Sequence, residues 1–159
     1  PDRFAGMHFF NPPYALRLLE LIEGRETSKE TLDRCRTWAQ AMNRILVEVK
    51  DSPGFATSRL GIALGNEAMR MVESGVARPS DIDTAMRKGY GHPMGPIELT
   101  DHVGLDVRLA ITEYLHRELG TDTFAPPGIL KKLVAEGRVG KKAGRGFYRW
   151  VDGKPREED

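Results

Sequence analysis

Cysteine occurs once in these 159 residues, at Cys35, so no intrachain disulfide framework is available. A lone thiol fits an intracellular, reducing compartment, and the expected location is cytoplasmic. Excess charge of either sign is also missing, with 24 Lys plus Arg against 23 Asp plus Glu. Such a balance gives no electrostatic footprint for nucleic acid, and none is expected as a partner. The one basic cluster, from Lys131 to Arg149, is interrupted by glycine and apolar residues and reads as a solvated face. No apolar run approaches the roughly 20 residues of a membrane span, so no membrane partner is expected. The first residues, Pro-Asp-Arg-Phe-Ala-Gly, have neither the basic nor the apolar region of a signal peptide. An initiating Met is absent as well, which sets the expectation of a fragment. Internal repeats are absent too. His92, His102 and His116 have no zinc-like spacing, so no metal site is expected, and they read as structural or surface residues.

What the chain does contain changes character near Asp51. Phe4 to Phe10 is short and apolar and runs into Asn11-Pro12-Pro13, the pattern of a strand entering a loop. Leu16 to Ile22 is short and apolar, which suits strand or helix; read as a second strand, it puts Leu18, Glu20 and Ile22 on one face. Thr27-Ser28-Lys29-Glu30 has the form of a capping box, predicting a helix to about Met42. Ile45 to Val49 reads as a third strand. Beyond it, Ser52-Pro53 resembles an N-cap with proline at the first helical position. The long helix predicted from Phe55 to Glu73 is apolar on most of its circumference, so it is expected at the centre of the helical part.

Further helices are predicted from Pro79 to about Arg87, Ile97 to Val103, Asp106 to Leu119 and Ile129 to Glu136. Gly89 to Pro96 holds three glycines and two prolines and must be a shaped loop. The expected division is 1–50 for strands plus helix, 51–150 for a helical domain, and 151–159 for a charged, frayed tail. Gly61 and Gly65, with Ser58, form a stripe of small residues on the long helix. The stripe fits close approach of a second helix, from this chain or another copy, or a face cut back to admit a substrate chain.

Two residues suggest chemistry. His8 sits at the end of a strand beside a turn, where open α/β sheets face their ligand crevice, and histidine exchanges protons near neutral pH. Glu20 is an acidic residue inside the apolar run Leu18-Leu19-Glu20-Leu21-Ile22, where burial without a partner is costly. On neighbouring strands the two could satisfy each other, the carboxylate fixing the imidazole tautomer. A glutamate at a strand edge facing water is the alternative reading.

Seven ordered segments carry a resemblance. They are Arg3 to Pro12, Leu19 to Ile22, Asp51 to Phe55, Asp81 to Met86, His92 to Pro96, Gly104 to Asp106, and Gly140 to Tyr148. Together they resemble the 3-hydroxyacyl-CoA dehydrogenase family, most nearly its bacterial 3-hydroxybutyryl-CoA type. The resemblance implies a mainly α chain, in which a helical C-terminal dimerisation domain follows the last strands and helix of a Rossmann-type α/β domain.

It implies NAD as the cofactor of the intact enzyme, an acyl-CoA substrate, and a homodimer built by the helical domain. His8 matches the catalytic histidine that takes the C3 hydroxyl proton, and Glu20 matches its paired glutamate. Ser58 stands where the family has a substrate-contacting asparagine. Asn11, in the loop after His8, is placed with Ser58 among the candidate substrate contacts. The family's Gly-x-Gly-x-x-Gly loop has no counterpart, since Gly137 to Gly146 follows no strand. By itself the chain is therefore expected to bind no NAD and to be inactive. The rival readings are a dehydrogenase of a free hydroxy acid or sugar acid on the same fold, or a non-catalytic helical dimerisation module.

Overall fold

A computed structural model describes residues 1–157. The chain forms two compact units, Pro1–Thr57 and a second beginning at Ser58. The first unit contains β1 (Gly6–Phe9), β2 (Leu18–Glu23), α1 (Lys29–Ala41) and β3 (Ile45–Lys50). Its sheet has the order β1-β2-β3, with β2 antiparallel to β1 and parallel to β3. α1 makes the crossover between the parallel pair, and Leu32 and Cys35 on its inner face pack with Leu21. The only cysteine is thus a small buried apolar residue.

The helix cap falls one residue later than expected. Ser28, not Thr27, accepts the N–H of Thr31. The Thr27 hydroxyl is committed elsewhere, accepting the Gly24 N–H and donating to the Phe4 carbonyl.

The first compact unit continues past β3 to Thr57 for a physical reason. Glu20 of β2 accepts the backbone N–H groups of Ala56 and Thr57, which ties the segment after β3 to the sheet. The long helix also starts later than Ser52-Pro53 suggested. Gly54 and Phe55 adopt φ values of 75° and 48°, so the chain makes a left-handed turn before α2 (Thr57–Glu73) begins. Only glycine enters that region freely, and Phe55 there is a strained position.

In the second unit, α2 is followed by α3 (Pro79–Gly89), α4 (Pro96–Val103), α5 (Leu105–Leu119) and α6 (Gly128–Ala135). One-turn helices lie at Asp122–Phe124 and Lys141–Ala143. The main core gathers Ala68, Met69, Ile82, Ile97, Leu105, Leu130 and Leu133 with Phe147 and Tyr148. α2 is not buried all round. Ile62, Gly65, Asn66, Ala68 and Met69 face inward, while Leu60 is 71% and Leu64 36% exposed. The small-residue stripe is occupied within the unit. A Cβ on Gly65 would lie 3.2 Å from the Thr100 hydroxyl, and Arg108 of α5 donates to the Gly61 carbonyl at 3.2 Å. Burial pulls the Arg108 guanidinium down to about 10.

Two buried carboxylates organise the loops. Asp83 accepts the N–H groups of Ile97 and Glu98, capping α4 from another helix, and also accepts the Tyr148 hydroxyl at 2.7 Å. Asp101 accepts the N–H groups of Phe147 and Tyr148 and the Trp150 indole N–H, each at 2.9 Å. Gly95 and Gly146 are glycines because any Cβ there would collide with Asp83 or Asp101 respectively. Burial pushes the Asp101 carboxyl up, against the lowering effect of its three donors.

The expected frayed tail is instead ordered through a hairpin of β4 (Arg149–Val151) and β5 (Lys154–Arg156). Asp152 and Gly153, with φ values of 50° and 73°, form its two-residue turn. Residues 158 and 159 lie outside the described residues.

Candidate active site

The site in the first unit is built by strand register. His8 on β1 lies directly opposite Glu20 on β2 in the antiparallel pair, so their side chains project from one face of the sheet. His8 Nδ1 lies 2.8 Å from Glu20 Oε2. The Glu20 side chain has no exposed surface, whereas that of His8 is 38% exposed. One partner is thus fixed in the interior, and the other reaches outward.

Glu20 is supplied with four donors. Oε2 accepts the His8 N–H and the Thr57 hydroxyl, and Oε1 accepts the N–H groups of Ala56 and Thr57. Burial acts to raise the Glu20 carboxyl, but the hydrogen bonds from His8, Thr57 and Ala56 outweigh it and hold the group below the usual carboxylate range. Two of those bonds come from the backbone N–H groups of Ala56 and Thr57. The carboxylate is therefore ionised, and an ionised carboxylate can only accept. His8 therefore donates from Nδ1, and in the neutral imidazole that tautomer puts the lone pair on Nε2. The rings of Phe10 and Phe55 lie 5.1 and 5.6 Å from the imidazole, both tilted against it. Phe55 owes its place there to the left-handed turn before α2.

Of the four candidates from the sequence, the structure brings His8 and Glu20 together. Asn11 is exposed in the bend after β1, on a cis peptide to Pro12. Ser58 is half-buried in the first turn of α2, directly after Thr57. Sequence reasoning missed Thr57 altogether. Its signal was weak, since a threonine at a helix start is ordinary. Among the described residues, no group of three or more His, Cys, Asp or Glu could hold a metal ion. No described helix is long and apolar enough to cross a membrane.

Known proteins carry the same arrangement of segments. Residues 54–150 match the family model described as the 3-hydroxyacyl-CoA dehydrogenase C-terminal domain, and residues 1–52 match that family's NAD binding domain. A probable 3-hydroxybutyryl-CoA dehydrogenase of Bacillus subtilis is 46% identical over 148 residues, covering 93% of this chain and 52% of the relative. The mitochondrial hydroxyacyl-coenzyme A dehydrogenase of Homo sapiens is 44% identical over 150 residues, covering 94% of this chain and 48% of that protein. The crystal structure of an (S)-3-hydroxybutyryl-CoA dehydrogenase from Ralstonia eutropha superposes with a TM-score of 0.91 at 39% identity. That match covers 95% of this chain and 53% of the crystallised one. The chain spans about half the length of the curated relatives it matches. With both domain models matched in order, the chain belongs to the 3-hydroxyacyl-CoA dehydrogenase family.

Proposed function

We propose that the whole protein of which these residues form part oxidises an L-3-hydroxyacyl-CoA to the 3-oxoacyl-CoA, with NAD as cofactor and His8 as general base. The observation that carries this is the 2.8 Å contact of His8 with a fully buried, four-donor Glu20. A 3-hydroxyl loses a proton from oxygen and a hydride from carbon. NAD, when bound, supplies the hydride acceptor, so the residues present need to supply the proton acceptor, and the part-exposed imidazole of His8 fits that need.

As Nε2 takes the hydroxyl proton, the imidazole becomes cationic. Glu20, ionised and fixed, stabilises that cation and keeps the ring oriented, the part a buried carboxylate plays in a catalytic triad. Phe10 and Phe55 pack against the ring and lower the polarity around it, which strengthens the His8–Glu20 interaction. Ser58 is proposed as a substrate contact, its hydroxyl offering one donor and one acceptor from the first turn of α2. Asn11 is proposed as a second contact, from the exposed bend that follows His8. Residues 1–50 are proposed as the closing part of the cofactor domain and residues 51–150 as the helical dimerisation domain, a division that the two family models support.

The names of the relatives support a 3-hydroxyacyl-CoA rather than a free hydroxy acid as substrate. Assaying the intact protein with acetoacetyl-CoA and NADH, and in parallel with free 3-oxo acids, tests the reading. Turnover with the thioester is expected to exceed that with the free acid by orders of magnitude. Equal turnover would reject the acyl-CoA assignment.

A further inference from the structure

We propose that Thr57 is a positioning residue for the proton step: its hydroxyl shares Glu20 Oε2 with the His8 imidazole and so limits how tightly that oxygen holds a protonated ring. This inference rests on the assignment of His8 as the base. Its own support is the division of donors between the two carboxylate oxygens. The backbone N–H groups of Ala56 and Thr57 both go to Oε1, at 3.0 and 2.9 Å. Any residue but proline at position 57 could supply its share of that cap. The Thr57 hydroxyl goes instead to Oε2, at 2.8 Å, the same distance as His8 Nδ1 on that atom.

A threonine at a helix start commonly accepts a backbone N–H of the helix's own first turn. Here the hydroxyl donates away from the helix, to a carboxylate on β2. Helix capping is already served by Oε1, so the hydroxyl is surplus to it. Its placement makes sense for the charge on Oε2. A donor on that oxygen withdraws negative charge that would otherwise face the imidazole. The base must bind the C3 hydroxyl proton during oxidation and release it afterwards, and an over-stabilised imidazolium would stay protonated and be useless as a base.

Opposite Glu20, β3 presents Val47 at its register position, β1 presents His8, and the segment entering α2 presents Ala56 and Thr57. The other rings against His8 are those of Phe10 and Phe55, which do not titrate. His8 is the titratable group in contact with Glu20 among the described residues of the unit.

The test is a set of pH profiles of kcat/KM, in both directions, for the intact enzyme and its Thr57→Val, Thr57→Ser and His8→Ala variants. Valine keeps the shape and deletes the donor. Thr57→Val is expected to move the acid limb of the oxidation profile to higher pH by roughly half a unit. The alkaline limb of the reduction profile should move the same way by the same amount, since both report one proton on one ring. Thr57→Ser should overlay the wild-type limbs. A purely structural role would lower rates without moving either limb, and that result overturns the proposal. A His8→Ala enzyme with near wild-type turnover would instead reject the underlying base assignment, which separates the two failures. If Thr57→Val does not fold, Thr57→Ala deletes the same donor. Loss of folding in both variants would show that position 57 serves the fold, and would also overturn the proposal.

Discussion

Glu20 meets Thr57 twice: Oε1 accepts the Thr57 backbone N–H at 2.9 Å, and Oε2 accepts its hydroxyl at 2.8 Å. Because Oε2 also holds His8, one buried side chain orients the proposed base and fixes the backbone of Ala56 and Thr57. Removing the charge from Glu20 should therefore affect chemistry and stability together.

For Glu20→Gln the sign follows from the lowered carboxyl. A group more acidic in the folded state contributes stability that is fully present above the pH where a free glutamate titrates, about 4.3, and is lost as pH falls through the lower folded value. At pH 7 the variant is expected to be less stable than wild type by about 1–3 kcal/mol, the cost of mismatched donors on a buried acceptor. Denaturant titrations at pH 7 and pH 3 should show that gap narrowing in acid. An equal gap at both pH values would mean that Glu20 is not held ionised. Turnover of the variant should also fall, through loss of the charge that supports the imidazolium.

Asp101 gives a stability test remote from the chemistry. It accepts three donors from Phe147, Tyr148 and Trp150. Asp101→Ala strands all three and should cost about 2–4 kcal/mol. For a unit of this size that corresponds to a fall in Tm of at least roughly 8 °C. A change of less than 2 °C would show that the last turn and hairpin are held by other contacts.

Self-association is expected from the outer faces of the helical unit. Leu60 and Leu64 on α2, Val103 on α4, and Val107 and Tyr114 on α5 are all exposed apolar side chains. A homodimer burying roughly 2,000 Å² or more through such a surface is in the obligate range. Sedimentation equilibrium at micromolar concentration should give twice the subunit mass. Replacing Leu60 and Leu64 by glutamate should yield monomers. A wild-type protein that sediments as a single subunit contradicts the proposed assembly.

The His8–Glu20 pair was legible in the sequence because an acidic residue inside an apolar strand has few ways to be satisfied. Alternation alone could not choose between a buried partner and a watery edge; the register of β1 against β2 decides it. Thr57 and the turn that delivers it were not legible. Pro53 looked like the first residue of a helix, whereas Phe55 adopts a positive φ that no local sequence pattern records. Similar limits hid the roles of Asp83 and Asp101. Asp83 lies within α3, yet it caps α4, a partner that helix periodicity does not reveal. The final hairpin, by contrast, could have been read, since Asp152-Gly153 is a strong two-residue turn signal. The density of charge in the tail obscured it.

The central claim is that His8 takes the proton from the substrate's 3-hydroxyl. The most direct test is steady-state turnover of His8→Ala in the intact enzyme, with 3-hydroxybutyryl-CoA and NAD at saturation. Turnover is expected to fall by about 10² to 10⁴, the range for loss of a positioned general base, with KM for the thioester changed little. A variant that keeps about a third or more of wild-type turnover would remove His8 from the mechanism.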